Sequence, residues 1–477
     1  MRAAVTALAV ALLVAGCGDD RQAAGPAPGS TLRATLVDRD GDGFLERGPG
    51  APFADRRELG GGGRPGRVLA RFGQLTDTHV RDEESPARVP FLDRVGPPFT
   101  STFRPQEAES AQVLDAAVRA LDRERPQAVA ITGDIVDNAQ ANELSTALAV
   151  LRGGRVDPDS GAPGYDGVQD ASTPDPFYFR PDNDAPRHPG VLDAAQRPFR
   201  AAGLDASWYP AIGNHDVLVQ GEVPATPAIE DVATGSRMVV GIDPRFLPPF
   251  LSEADASSAV NSLIAQGDAF GSSETVPADA RRRHLSAAEM VGRLAAAAGV
   301  KPAGPRLDYA FDIGPDVRGI VLDTVNRAGG SRGQLTPAKG EWLRREMGRA
   351  GARWIVVFAH NPLEATDGGA AALAALDAAP RVAAVVAGNR HRNTIAPRDG
   401  YWLIGTSSLA DFPQQARMFR LREAPGGAVL ETWMVDHDGR GLAGVSRELA
   451  FLDAQGGRPQ GFAGRATDRN VRLFVQP

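Results

Sequence analysis

Five short stretches of the chain gather residue types that bind metal ions: Thr76-Asp77-Thr78-His79, Gly133-Asp134-Ile135-Val136-Asp137, Gly213-Asn214-His215-Asp216, His360-Asn361-Pro362 and Gly388-Asn389-Arg390-His391. Carboxylate, imidazole and amide donors in one set suit iron, manganese or zinc, and the types present do not choose among them. In an extended segment, residues two apart project to the same side, so Asp77 and His79 can approach one ion together. Asp134 is the candidate for a carboxylate shared by two ions. Singly, each stretch has a plainer reading: Asp134 in a solvated Asp-Gly turn, Asn214 and Asp216 as turn formers, His360 as a strand-end histidine with one backbone hydrogen bond. Four of the seven histidines fall in these stretches, a concentration that isolated histidines do not explain.

Each stretch follows an apolar run too short for a helix and rich in β-branched residues, which predicts buried strands over 68–75, 128–132, 208–212, 354–358 and 382–387. In α/β sheets, ligand sites form where strand carboxyl ends meet loops. Between the first two strands, Pro105 to Arg125 predicts a helix with Leu114, Ala117, Val118 and Leu121 on one face and Pro126 as its stop. Strand, helix and strand make a β-α-β unit with acids at both strand ends. A second helix is predicted over 142–151, and Ser286 to Glu289 forms a capping box ahead of another. Strands are expected over 309–313 and 319–322. The runs 401–406, 418–421 and 429–435 read as a closing antiparallel set with Gly426-Gly427 as a hairpin turn.

The chain of 477 residues, 42% hydrophobic, is large enough for one domain with insertions. Its net charge of −7 gives no general attraction to phosphate backbones, so nucleic acid is not an expected partner. Residues 3–15 are apolar behind Arg2 and too short to span a bilayer, which reads as an export signal. Val14-Ala15-Gly16-Cys17 resembles the lipobox of bacterial lipoproteins, so residues 1–17 form a signal peptide and Cys17 a lipidation site. The expected location is the bacterial cell envelope, lipid-anchored at the outer face of the cytoplasmic membrane, with secretion as the alternative. Cys17 is the only cysteine, which excludes an intramolecular disulfide and a thiolate zinc site or cysteine nucleophile in the body of the chain. Residues 18–63 form a tether and an Asp/Gly-rich segment. There Asp38, Asp40 and Asp42 mimic the start of a calcium loop, but Pro49 stands at the closing position, which favours a solvated turn. A catalytic domain is expected over 64–440, with insertions near 153–200 and 218–304, followed by a C-terminal extension over 441–477.

The five ordered motifs together resemble the calcineurin-like metallophosphoesterases, over roughly Val68 to Val435. Leu322-Asp323-Thr324, Gly333-Gln334-Leu335 and Trp342-Leu343 resemble the branch containing bacterial cyclic-nucleotide phosphodiesterases. The resemblance implies an α/β fold of two mixed sheets packed as a sandwich and flanked by helices. It implies two metal ions, iron, manganese or zinc, the first held by Asp77, His79, Asp134 and His391, the second by Asp134, Asn214 and His360. It also implies hydrolysis of phosphate mono- or diesters, small molecules or envelope components, by a metal-bridging hydroxide. His215 would protonate the leaving oxygen, with Asp216 fixing its tautomer. Arg390 and Arg392 flank the last motif as candidate phosphate contacts, with surface arginines as the alternative. One position departs from the family, which usually has Gly-His-x-His where this chain has Gly388-Asn389-Arg390-His391. An amide oxygen is a weaker, harder ligand than imidazole, so Asn389 would loosen or retune the second ion. The same departure motivates a second expectation, a catalytically weakened lipoprotein that binds a phosphorylated ligand or envelope component.

Overall fold

The structure is a computed structural model that describes residues 26–476 apart from 97–98, 244, 246–252, 267–268, 270 and 456–460. Cys17 and the leader lie outside the described residues. Two mixed sheets carry the fold. The seven-stranded sheet runs, edge to edge, Ala54–Arg56, Val471–Val475, Gly427–Asp436, Gln415–Ala424, Val68–Leu75, Ala128–Thr132 and Ser207–Ala211. The six-stranded sheet runs Tyr309–Asp312, Val317–Leu322, Trp354–Ala359, Val382–Ala387, Tyr401–Gly405 and Thr394–Arg398. Helices flank both, so the α/β sandwich expected from sequence is the observed architecture.

Three of the five strands read as apolar runs are buried on both faces. Every residue of Ala128–Thr132, Trp354–Ala359 and Val382–Ala387 is buried, as continuous Val, Ile and Ala runs require in parallel strands covered on each side. The sheets meet through aromatic rings: Phe72 packs edge-on to Phe358 at 5.8 Å, and Phe311 stacks on Tyr209 at 3.7 Å. Polar bonds also cross between them, Trp402 Nε1 donating to the Phe474 carbonyl at 3.0 Å and Tyr309 Oη to that of Pro210 at 2.7 Å. The helix Ser110–Arg123 buries Leu114, Ala117, Val118 and Leu121 as its spacing predicts.

Parallel pairing explains why the motifs meet. Val68–Leu75, Ala128–Thr132 and Ser207–Ala211 are mutually parallel, as are Trp354–Ala359 and Val382–Ala387 in the other sheet. Their carboxyl ends are stitched across the sandwich: Gln74 Nε2 donates to the Ala387 carbonyl at 3.3 Å and His360 Nδ1 to that of Thr132 at 2.8 Å. All five motifs therefore emerge at one rim.

Three features differ from the sequence reading. Tyr401–Gly405 does not join Gln415–Ala424 and Gly427–Asp436 but pairs parallel to Val382–Ala387 in the other sheet. Periodicity reports burial, and burial is the same in either sheet. The hairpin turn is Pro425-Gly426, since Ala424 already pairs with Gly427. Among its described residues, the insertion at 218–304 holds the α-helices Pro227–Thr234, Glu253–Gln266 and Ala287–Ala298 and a hairpin of Arg237–Ile242 with Gly271–Thr275. It shares an apolar core with residues 87–103 and with Val168 and Tyr178 of the first insertion. The Ser286 capping box forms as read. Asp38, Asp40 and Asp42 sit at the tip of the hairpin Ala34–Val37 and Glu46–Pro49, with Asp38 capping the N–H groups of Gly41 and Gly43. No helix among the described residues is long and apolar enough to cross a membrane.

Residues 441–477 supply the helix Leu442–Gln455 and the strand Val471–Val475, which pairs with Gly427–Asp436 inside the seven-stranded sheet. Leu473 is completely buried there. Leu473→Ala is expected to lower the free energy of unfolding by about 2–5 kcal/mol, the range for deleting a buried leucine side chain. Urea denaturation checks this, and a negligible change would show the segment to be an appendage.

Candidate metal centre

The ligand loops begin where the backbone leaves the sheet. Asp77, His79, Asp134, Asn389 and His391 have φ of 49°, 41°, 49°, 65° and 52°, the left-handed region that non-glycine residues enter only when surrounding structure holds them. Gly213 permits the approach of two of these loops, since a Cβ there would lie 2.1 Å from Asp134 Oδ1. Gly388 does the same for the last motif, where a Cβ would stand 2.4 Å from Asp77 Oδ2.

Four histidines enter the rim, each engaged at Nδ1. His79 Nδ1 meets Asp137 Oδ1 at 2.9 Å, His215 Nδ1 donates to the Asp137 carbonyl at 2.7 Å, His360 Nδ1 to that of Thr132, and His391 Nδ1 to Asp411 Oδ2. Engagement at Nδ1 fixes the tautomer and turns Nε2 lone pairs inward. His79 Nε2 lies 3.3 Å from His391 Nε2, which is 3.4 Å from Asp77 Oδ1. His360 Nε2 lies 3.2 Å from Asp134 Oδ2 and 3.1 Å from Asn214 Oδ1. Asn214 is oriented by its own amide, whose Nδ2 donates to the Gly221 carbonyl at 3.1 Å.

Two ligand groups share carboxylates: Asp77, His79 and His391 form one, and Asp77, Asp134 and His360 another, while Asp134 also reaches His79 and His215. Oxygen and nitrogen ligands about 2.0–2.2 Å from one ion stand roughly 3–3.5 Å apart, the spacing seen here. Lone pairs facing each other at this range repel unless a cation or proton lies between them. The residues present therefore fit two metal ions, and the protons of the ion-free site tell the same story. Burial alone would lower His360, but Asp134 overrides it and raises it to about 10. Burial likewise opposes charge on His391, and Asp77 lifts it to about 9. Burial wins at His79, which falls to about 4 and stays neutral.

The acids around the ligands are neutralised in layers. Asp137 orients His79 and pairs with Arg81 at 2.7 Å; Arg81 in turn binds Glu107. Asp411 binds His391 and, at 2.6 Å, Arg104. Burial resists ionisation of both carboxyls, but Arg81 and Arg104 hold them well below the ordinary carboxylate range. Asp411 was missed in the sequence, although it follows the same signature as the motifs: an apolar strand, Tyr401–Gly405, and then the polar run from Thr406.

Asp216 is a correction. It does not orient His215, whose partner is the Asp137 carbonyl. Its carboxylate accepts the N–H groups of Gly213, Ile135 and Val136 at 2.7, 2.8 and 3.0 Å, tying the second and third ligand loops together. Burial and then Asp134 push Asp216 up to about 7. Asn389 enters through its backbone, its N–H reaching Asp77 Oδ1 and Oδ2 at 3.0 and 3.2 Å. Arg390 lies 3.5 Å from Glu364 on the surface, and the exposed Arg392 places its guanidinium beside Gly461. His215 is the most exposed of the four histidines, at 16% against 0–12% for the others, and stands at the mouth of the centre. His188, His284 and His437 lie outside it.

No family model matches the chain, and no curated protein does. Among solved structures it is similar to a dimetal phosphatase from Danio rerio, at 15% identity and TM-score 0.38, covering 78% of this chain and 100% of that one. It is also similar to PhoD, at 12% identity and TM-score 0.30, covering 82% and 78%. A purple acid phosphatase from yellow lupin matches at 12% identity and TM-score 0.31, covering 79% and 53%.

Two predictions arise from the ligand partners. Asp411→Asn weakens the charge that orients His391, and metal affinity is expected to fall about 10–100-fold, measured by competition with a chromogenic chelator. An unchanged affinity would remove Asp411 from the centre. In the ion-free protein His360 and His391 hold protons at neutral pH that an ion must displace. Affinity should therefore climb as pH rises from 7 towards 9–10 and level off above, with protons released on binding. Calorimetry in buffers of different ionisation enthalpy checks the release.

Proposed function

We propose that the protein is a metal-dependent hydrolase of phosphate mono- or diesters, of the calcineurin-like metallophosphoesterase kind. One observation carries this reading: three histidines held at Nδ1, His79, His360 and His391, turn their Nε2 atoms onto Asp134, Asn214 and Asp77 in groups that share carboxylates, and His215, also held at Nδ1, stands beside them. Asp77, His79, Asp134 and His391 would hold one ion, and Asp134, Asn214 and His360 the other. Such a pair of ions supplies Lewis acidity toward phosphoryl oxygens and lowers the pKa of bound water. The chain's own part is orientation and proton delivery. His215, at the mouth, gives a proton from Nε2 to the leaving oxygen while its Nδ1 stays on the Asp137 carbonyl. Asp216 holds the loop that presents His215.

His215→Ala is expected to lower kcat for a chromogenic phosphate ester by about 10²–10⁴-fold, the usual worth of a general acid, while metal content per chain stays that of the parent. An undiminished rate would end the general-acid assignment.

Asn389 supports a second reading, a weakened site that binds a phosphorylated ligand without turnover. Elemental analysis separates the two: the hydrolase is expected to carry two ions per chain, the binder fewer. Asn389→His is expected to tighten the second ion and raise the rate; no change in either would place the Asn389 side chain away from the ions. We further propose export and anchoring through Cys17 at the outer face of the cytoplasmic membrane, where envelope phosphodiesters and cyclic nucleotides are the substrates to screen first.

A further inference from the structure

A cleft of about 770 Å³ lies between the N-terminal hairpin and the start of the helix Leu442–Gln455, and none of the candidate metal ligands lines it. Five arginines reach its walls: Arg33, Arg47, Arg123, Arg440 and Arg447. The acids that share the lining are already engaged. Asp436 accepts from Gln415 Nε2 at 2.9 Å, Asp438 from the Arg440 N–H at 3.3 Å, and Glu448 faces His188 at 3.4 Å.

The strand Gly427–Asp436 leaves its sheet here and enters the helix through Gly439-Arg440-Gly441-Leu442-Ala443-Gly444. Glycines at this spacing let a backbone fold over the first turn of a helix, whose free N–H groups favour an anion. The loop is tight: Gly439 and Gly441 have φ of 63° and 56°, and a Cβ on Gly444 would lie 2.2 Å from the Gly439 carbonyl oxygen. The next strand, Val471–Val475, is antiparallel to the first, so this is not the parallel unit that binds dinucleotides. Spacing and helix start alone do not make a site.

The independent observation is a set of orphan donors under that loop. Arg447 is 4% exposed; its Nη1 donates to the His437 carbonyl at 3.2 Å, while Nε and Nη2 are buried without a partner. His437 is 3% exposed and accepts the Gly439 N–H on Nδ1 at 3.1 Å, which leaves its proton on Nε2, also buried and unpartnered. Burial, and then Arg447 beside it, keeps His437 neutral and therefore in that tautomer. All three orphans are donors, and a buried donor without an acceptor marks the place of a missing one. An anion satisfies donors of this kind, and the five arginines of the walls favour its charge. The volume falls in the range of small-molecule sites, about 300–1,000 Å³.

We propose that this cleft is a second ligand site, separate from the metal centre, that takes a phosphate group carried by a small molecule or a lipid headgroup. The proposal does not rest on hydrolysis. The test is equilibrium dialysis of the full chain against radiolabelled inorganic phosphate after metal removal by chelation, which silences phosphate binding at the ions. The chelated protein is expected to retain one phosphate per chain and to lose at least tenfold in affinity in Arg447→Met and in Arg440→Ala, the latter an exposed wall residue that folding does not need. Both variants, reloaded with metal, should keep the parent's metal content and rate on a chromogenic ester. Sedimentation with phosphatidylglycerol vesicles, against phosphatidylcholine vesicles, identifies the source. Selective binding that phosphate displaces and both variants lose assigns the headgroup, and phosphate binding without vesicle binding assigns a soluble ligand. No phosphate on the chelated protein, or affinity unchanged in both variants, overturns the site.

Discussion

The structure depends on the hydrogen bonds made by four Nδ1 atoms. A histidine in solution rotates freely and shares its proton between two nitrogens; here each ring is pinned, by the Asp137 carboxylate, the Asp137 carbonyl, the Thr132 carbonyl or Asp411. Pinning converts four flexible side chains into four Nε2 atoms of fixed direction. It also explains an otherwise costly set of charges. Asp137 and Asp411 are buried carboxylates, stable only because Arg81 and Arg104 are buried beside them. Those arginines come from the loop between Val68–Leu75 and Ser110–Arg123, so the loop's length serves the centre although its candidate ligands, Asp77 and His79, stand at its very start.

The backbone carries a second constraint. Five residues at the ligand loops hold left-handed φ angles, each costing about 1–3 kcal/mol for residues other than glycine. Such strain persists only where neighbouring structure fixes the chain on both sides. The sandwich does this: each loop leaves a completely buried strand end, and the Asp216 carboxylate joins two loops through three N–H groups. Asp216 thus acts on the centre through the backbone, and its neighbour His215 gains a fixed place without touching it.

How far this was legible in the sequence follows from which interactions are local. Strands such as Ala128–Thr132 and Val382–Ala387 were readable because burial on both faces leaves an uninterrupted apolar run, and the ligands because each follows such a run directly. The partner of His215 was not. Asp216 is adjacent in sequence, but consecutive residues point apart, and the true acceptor is a carbonyl some eighty positions earlier that only folding brings near. Asp411, twenty residues beyond His391, belongs to no motif and is found only through the strand that carries it. The sheet to which Tyr401–Gly405 belongs was hidden for a related reason, since pairing partners leave no mark in the burial pattern of a single strand. Thr226-Pro227 did carry a helix start, a cap followed by proline at the first turn, within a stretch otherwise too irregular to read.

The two ligand groups are unequal, and the inequality follows from their donors. In the sets proposed above, the first ion would be held by two carboxylates and two imidazoles, all four on loops that leave strand ends of the sandwich. The second would have one carboxylate, one imidazole and the amide of Asn214, whose place depends on the Gly221 carbonyl at the start of the large insertion. A neutral oxygen held from an insertion is a weaker anchor than a carboxylate held from a sheet. Asn389 adds its backbone to Asp77, a carboxylate of the first set. If two ions bind, the second therefore sits at the end of the site that the insertion controls, next to His215. Any movement of residues 218–221 would reach the second ion and the proton donor together, through Asn214 on one side and Gly221 against the His215 ring on the other, while the first ion keeps its ligands.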